Sequence, residues 1–328
     1  MLGIIIPIYK ARDTLPKALD SLVAQTKTMF LVTLVQDCDG EDYSDIIEEY
    51  KRRGLHINLV QMEKNVGPGL ARQRGIDVNE RCEYLMFLDS DDMLLPEAVE
   101  VLTREISVNK ADIAASSIIA EMPHKPSMPL PVETTPVQWM HGKCYRRKYL
   151  VEKNIRFLDE LRLNEDSYFN LVAFNGTEKH IRIPKETYLW RYNKNSLTRT
   201  EEDDGDFFAR SWDQYLLSQV RGIKKLYEIN KIPDQLLGAT IINIYTHYMK
   251  AFHFKQDTSK VDWIFNELAH IDKMWAQLDN KPVWEYINAN LKCSDIENDT
   301  MYFFRMRFID WLEYVKKVGR GEHEDICD

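Results

Sequence analysis

The stretch that most constrains this chain is Tyr84-Leu85-Met86-Phe87-Leu88-Asp89-Ser90-Asp91-Asp92. An unbroken apolar run of this length reads as a strand buried on both faces, as in parallel sheets. Three aspartates then follow within four positions. Like charges that close repel, and burying them unpaired costs several kcal/mol, so the cluster calls for a counter-cation or water. Open α/β sheets bind ligands in the crevice outside the carboxyl ends of their strands, which is where these acids fall. Asp-x-Asp supplies hard oxygen ligands suited to magnesium or manganese, with positions kept open for phosphate oxygens. The plainer reading is a solvated turn capping the helix that Pro96 opens, and the apolar strand leading into the acids weighs against it.

Around this strand the first third of the chain alternates strand and helix. Leu2 to Ile6 is a β-branched strand broken by Pro7-Ile8-Tyr9, and Asp13 or Thr14 caps a helix carrying Leu15, Leu19, Leu22 and Val23 on one face. Leu31 to Val35 is a second strand, ending in the polar turn Gln36-Asp37-Cys38-Asp39-Gly40. A charged helix near 43–53 leads to the strand Ile57 to Met62, and the loop at Gly67-Pro68-Gly69 opens a helix bearing Arg72 and Arg74. A helix from Pro96 and a strand from Asp112 to Ala120 follow. This rhythm predicts an α/β fold, a Rossmann-like, mostly parallel sheet with helices on both faces.

Two further strand ends carry chemistry. Asp37, like Asp89, falls just past a strand, where a carboxylate can accept from an N–H of a base; taken alone it is equally a turn-former. The Gly67-Pro68-Gly69 loop is expected to offer backbone N–H groups, and Arg72 and Arg74 charge, to a diphosphate. No Gly-x-x-x-x-Gly-Lys and no Gly-x-Gly-x-x-Gly is present, which disfavours an ATPase and a dehydrogenase.

Composition narrows the class. A chain of 328 residues with 44% hydrophobic and 29% charged residues suits an ordinary globular protein of two domains. A net charge of −9 argues against a general nucleic-acid binder. Five scattered cysteines, with no Cys-x-x-Cys pair, suggest reduced thiols in a cytoplasmic setting. The first apolar run is too short for a signal peptide, and no window approaches the roughly 20 apolar residues of a membrane span.

The order of the pieces is more specific than any one of them. Ile4-Ile5-Ile6-Pro7-Ile8-Tyr9, Val35-Gln36-Asp37, Asn65 to Arg72, Phe87 to Asp92, and Asn164-Glu165-Asp166-Ser167-Tyr168-Phe169 closely resemble the family 2 glycosyltransferases of the GT-A fold. The resemblance runs through Gly142 to Arg147 and fades after Tyr188-Leu189-Trp190-Arg191 and Ser196-Leu197-Thr198, so it covers about the first 200 residues. The chain departs from the family at Gln36-Asp37-Cys38-Asp39, where Asp-Asp-Gly-Ser is common, and at Gln73, where Asn is common.

The resemblance implies an inverting, metal-dependent transferase using a nucleotide sugar, a UDP-sugar by preference. Pro7, Tyr9, Asp37 and Arg72 would line the nucleoside pocket; Asp89 and Ser90 would lie near the ribose and metal, with Asp91 and Asp89 holding manganese or magnesium. Arg191, Ser196 and Thr198 would close on the diphosphate. Asp166 is the expected general base, with Glu165 beside it to hold the acceptor or fix the loop. Single histidines are seldom ligands, so His141 and His180 are left out of this set. Competing readings are a nucleotidyltransferase, which would show a Gly-rich signature after the first strand, and a catalytically silent sugar- or partner-binding module. The acceptor could be a glycan, a polymer, a protein or a modified nucleic-acid base.

The rest is read from pattern alone. Met122 to Pro136, rich in proline, is expected to be an extended loop or flap. Lys143, Arg146, Arg147 and Lys148 read as a solvated basic helix face. The catalytic domain is placed at 1–202 and a helical domain at 203–328, where Trp212, Tyr215, Leu216, Val220 and Ile223 recur at helical spacing. In the last helix Phe303, Phe304, Phe308, Trp311 and Tyr314 mix with Arg305, Arg307, Lys316 and Lys317. That mixture suits a packed helix or a homo-oligomer contact, with peripheral membrane contact as the third option.

Overall fold

The branched side chains of Leu2–Ile8 (β1) are buried almost throughout because strands flank them on both sides. Those neighbours are β2 (Phe30–Gln36) and β4 (Tyr84–Phe87), while β3 (Ile57–Gln61) pairs with the far side of β2; all four run parallel. The crossovers are α1 (Leu15–Val23), α2 (Ser44–Arg52) and α3 (Pro68–Val78). A computed structural model describes residues 1–122, 125–132, 137–193, 204–229, 232–291 and 300–322.

Strand β1 passes through Pro7, where a break was expected. The Ile5 carbonyl accepts from Leu88 on the β4 side and the Ile8 carbonyl from Asp37 on the β2 side, so residue 7 faces β4. Pairing with β4 ends at Ile5 opposite Phe87, and the N–H that proline lacks would have met no ladder partner. Helix α3 packs closely on this strand, since a Cβ on Gly75 would stand 2.3 Å from Ile5 Cγ2.

Beyond the acidic turn come β5 (Met93–Leu94), α4 (Ala98–Val108), β6 (Ile113–Met122), β7 (Lys125–Val132) and β8 (Lys143–Arg146). Helices α5 (Arg147–Glu152) and α6 (Glu165–Asn175) and strand β9 (His180–Trp190) complete the unit. Strand β8 enters antiparallel between β4 and β6, giving the order β3-β2-β1-β4-β8-β6-β9-β5, with β7 on β6. The second half of the sheet is therefore mixed, in contrast to the parallel first half.

Two expectations for this half are corrected. The proline-rich segment is not simply a loop: β7 pairs antiparallel with β6, Pro131 standing opposite Ile119. Its pairing recorded among the described residues is with β6 alone, and a strand with one open edge tolerates proline because half its N–H groups meet no neighbour. Pro123 and Pro136 lie outside the described residues, as do Ser196 and Thr198. The basic cluster is not one solvated face either. Lys143 is buried in β8, Arg146 meets Ala111 O at 3.1 Å and Glu83 at 3.2 Å, and Arg147 Nε donates to Ile76 O at 3.2 Å. Only Lys148 is highly exposed.

An aromatic knot sets the position of α6 against the central strand. Phe87 of β4 packs edge-on against Tyr145, Phe157 and Phe169, and Phe157 stacks on Phe169 at 4.2 Å. Each contact contributes about 0.5–1.5 kcal/mol beyond its buried area, so the start of α6 is held firmly near the end of β4.

The chain forms two compact units, Met1–Asp203 and Asp204–Asp328. The second consists of α7 (Asp204–Ile229), α8 (Asp234–His253), a 3-10 turn (Thr258–Val261), α9 (Asp262–Ala269), α10 (Asp272–Leu278), α11 (Lys281–Leu291) and α12 (Thr300–Gly319). Leu216, Val220, Ile241, Tyr245, Phe265, Ile287, Phe308 and Trp311 form its core. Phe308 and Trp311 of α12 pack on Tyr245 within this core, so that part of the aromatic stripe serves internal packing. The side chains of Phe303, Phe304, Arg305 and Arg307 lie outside the described residues. No helix among the described residues is long and apolar enough to cross a membrane.

Candidate active site

The end of β4 meets α3 and α6 through one buried arginine. Arg72, on the first turns of α3, donates from Nη2 to Asp89 Oδ1 at 2.6 Å and from Nη1 to Glu165 Oε1 at 2.8 Å. Its side chain is 6% exposed and that of Glu165 10%. Burial alone would raise the Asp89 carboxyl, but the Arg72 charge, with His141 adding to it, holds it well below the usual carboxylate range. Arg72, expected at the nucleoside, is thus occupied by two carboxylates in the interior. Gly69 makes room for the pair, because a Cβ there would stand 2.8 Å from Glu165 Cγ.

Helix α6 begins directly after Asn164, whose φ of 58° lies in the left-handed region. That turn places Glu165 inward and leaves Asp166 partly exposed, with Asp166 Oδ1 accepting from the Ser167 N–H at 2.7 Å. Burial, then the neighbouring Glu165 charge, pushes the Asp166 carboxyl up to about 7. A carboxylate poised there can hold or release a proton at neutral pH, as a general base requires.

The other acids of the turn are tied to the end of β9. Tyr188 OH donates to Asp92 Oδ2 at 2.7 Å, the Arg191 N–H donates to Asp92 Oδ1 at 2.8 Å, and Asn193 donates to Asp91 Oδ2 at 2.9 Å. Arg191 also reaches the Asp91 carbonyl at 3.4 Å. Burial, with the Asp89 charge next, raises both Asp91 and Asp92, and Asp92 lies well above the usual range. Ser90, between Asp89 and Asp91, is partly exposed. Asp91 and Arg191 open onto a cavity of about 330 Å³, whose lining also includes Asp13, Thr14, Lys17, Tyr192 and Asn193.

His141, set aside in the sequence, stands beside this cluster. Its Nε2 is 3.8 Å from both Asp89 Oδ2 and Asp92 Oδ2, and its buried Nδ1 has no hydrogen-bond partner. One ligand atom from each of Asp89, Asp92 and His141 lies within 4.8 Å of the others. Two carboxylates and an imidazole, with a third acid, Asp91, in the same turn and only Asp89 neutralised by Arg72, form a donor set that fits a divalent cation. The sequence signal for His141 was weak because it lies about fifty positions from the acids and only the fold brings it there. His180 is exposed at the start of β9, away from this set.

Asp37 lies at the end of β2 and is 4% exposed. Its two carboxylate oxygens accept from the N–H groups of Val66 and Gly67 at 2.7 and 2.8 Å. Those amides, expected to be open to a diphosphate, are therefore engaged by Asp37, and Arg74 is exposed on α3 instead of facing a phosphate beside Arg72. The departure at Asp39 has a local account: it accepts from the N–H groups of Lys10 and Glu41, from Gln36 and from Tyr43 OH, knotting the turn. Tyr9 is 49% exposed and Pro7 partly exposed at the mouth of this region.

Comparison with known proteins gives a consistent picture. Residues 3–161 match the model of glycosyl transferase family 2. The uncharacterized glycosyltransferase EpsJ of Bacillus subtilis is 28% identical over 218 residues, 60% of this chain and 63% of that protein. The poly(ribitol-phosphate) beta-N-acetylglucosaminyltransferase TarS of Staphylococcus aureus is 28% identical over 201 residues, 57% of this chain and 35% of that protein. The chain thus spans less than two thirds of the length of these relatives. The crystal structure of S. aureus TarS 1–349 in complex with UDP-GlcNAc superposes with a TM-score of 0.66 at 20% identity, covering 100% of this chain and 93% of that one. Over residues 3–161 the chain thus carries a glycosyl transferase family 2 domain, and its fold is the GT-A fold.

Proposed function

We propose that this chain is an inverting glycosyltransferase that moves a sugar from a UDP-sugar to a hydroxyl of a carbohydrate acceptor. The observation that carries this reading is the Arg72 bridge, which joins the acidic turn after β4 to the first turn of α6 and so sets a diphosphate-side cluster against a poised carboxylate. The family match supports it, as does the likeness to a TarS structure holding UDP-GlcNAc. The beta linkage in the name of that relative fits inversion from an α-linked nucleotide sugar. Among the described residues Cys38, Cys82 and Cys144 are free thiols, which suits the cytoplasm, where nucleotide sugars are made.

The residues divide the work. Tyr9, Pro7 and Asp37 border the nucleoside, and Asp37 also fixes the loop at Val66 and Gly67. Arg191 and Lys17, lining the cavity with Asp91, face the diphosphate. Asp89 and Asp91, with Asp92 and His141 beside them, would hold manganese or magnesium, which supplies positive charge to the departing diphosphate. Asp166 takes the proton of the acceptor hydroxyl as that oxygen bonds to the anomeric carbon. The bond from that carbon to the diphosphate oxygen breaks, and UDP leaves with its electron pair. Glu165, locked to Arg72, keeps the start of α6 in place.

Incubation with UDP-, GDP- and TDP-sugars in the presence of manganese tests the reading: UDP release is expected, and release from the GDP or TDP donors in preference contradicts it. Asp91→Ala is expected to abolish turnover while the protein stays folded, since a partly exposed carboxylate contributes little to the core. Chelator should act likewise and reversibly; full activity in excess chelator excludes metal dependence. Asp37→Ala is expected to weaken UDP binding by about 1–3 kcal/mol, read by calorimetry against GDP. Equal affinity of the native protein for UDP and GDP argues against uracil selection at this residue.

A further inference from the structure

We propose that Trp139 and Trp190 form the platform on which a pyranose ring of the acceptor lies, an inference that rests on the transferase reading above. The two indoles meet edge to face at 5.0 Å with an interplanar angle of 62°, and both are partly exposed at the rim of the core. His141 backs the corner, stacked on Trp190 at 4.9 Å and edge-on to Trp139 at 6.0 Å. The pair is therefore braced against the acidic cluster, where His141 also stands.

Each indole belongs to a different side of the reaction. The Trp139 carbonyl accepts from Asn170 Nδ2 at 3.1 Å and from Lys143 Nζ, and Asn170 lies one helical turn beyond Asp166 on α6. Trp190 ends β9 between Tyr188 and Arg191, both of which bond the Asp92 carboxylate. One wall of the corner is thus fixed to the element carrying the base and the other to the acids that face the donor. An acceptor hydroxyl must be presented between those two groups for in-line attack.

The chemistry of the corner selects a ring. A pyranose offers a C–H face that an indole covers and a rim of hydroxyls that need acceptors. Glu121, which accepts from the Tyr192 N–H at 2.8 Å and follows the residue paired with Trp190, lies beside it. The apolar indole faces favour a sugar ring over an acyclic polyol phosphate, which has no ring face to cover them.

Kinetics with methyl β-D-glucopyranoside as the ring probe and ribitol 5-phosphate as the acyclic anion test the platform. Trp139→Leu and Trp190→Leu are each expected to raise the KM for the pyranoside by about tenfold or more, with partial recovery in Trp139→Phe and Trp190→Phe. UDP affinity by calorimetry should stay within about twofold, separating the platform from the donor side. Where a leucine variant fails to fold, the phenylalanine variant decides: a KM between native and tenfold supports the platform, and a native KM overturns it. Native preference for ribitol 5-phosphate also overturns it. Absence of UDP release from any UDP-sugar by the native chain overturns the transferase reading and the platform with it, whereas UDP release with unchanged KM in the variants overturns the platform alone.

Discussion

Asp166→Asn is expected to lower the transfer rate by about a hundredfold or more while leaving UDP and metal binding near native. The amide keeps the shape and the hydrogen bond from the Ser167 N–H, but it cannot take a proton. The carboxyl is pushed up to about 7 by burial and then by the Glu165 charge. The sign of the pH effect follows: the active form is the carboxylate, so activity should rise with pH through a limb near neutrality and flatten above it. Glu165→Gln removes the neighbouring negative charge and should move that limb to lower pH, whereas Asp166→Asn should erase it. A native rate in Asp166→Asn, measured by UDP release with acceptor present, would remove the base from this helix.

The second large effect is structural. Arg72→Met should cost about 3–5 kcal/mol of stability, because it leaves the buried Glu165 and the partly buried Asp89 without their shared charge partner. The methionine fits the aliphatic path of the arginine, so the loss is chiefly electrostatic. Urea unfolding reads it directly. Adding Glu165→Gln to Arg72→Met should recover part of the stability, since the amide can be buried at lower cost than an unpaired carboxylate. Recovery of stability without recovery of activity would separate the fold-keeping role of the bridge from its placing of Asp166. No loss of stability in Arg72→Met would contradict the bridge as the joint between the two parts of the site.

The parallel half of the sheet was legible because period and punctuation agreed: β-branched runs at Leu2, Phe30 and Ile57 alternate with amphipathic helices. Tyr84 to Asp92 was legible for the same reason, an apolar strand ending in acids. Pro7 misled because proline's effect depends on which side of the strand its missing N–H faces, and that depends on where a distant partner stops pairing. Strand β7 was obscured by its prolines, which an edge strand accommodates. Lys143 was misread because its neighbours in sequence are basic and exposed, yet β8 is threaded between β4 and β6 and takes its first residue into the interior.

Asp89, Asp91, Asp166 and Asp37 were named as candidates from the sequence, but their partners were not legible there. Asp37 was read as open to a base, and the fold shows it first satisfying two loop amides. Arg72 was read as a nucleoside or phosphate contact because cation next to a Gly-Pro-Gly loop suggests an anion. Its anions are Asp89 and Glu165, the second 93 residues away. His141, Trp139 and Trp190 gain meaning only from proximity that no local pattern encodes.

The most direct test of the central claim follows phosphorus and proton resonances in one tube containing the native chain, UDP-GlcNAc, manganese and a pyranoside acceptor. One UDP should appear for each new glycosidic bond, the new anomeric proton should show the large coupling of a β linkage, and both signals should vanish in Asp166→Asn. An α-linked product, or a product formed at the native rate by Asp166→Asn, would contradict an inverting transfer with its base at the start of α6.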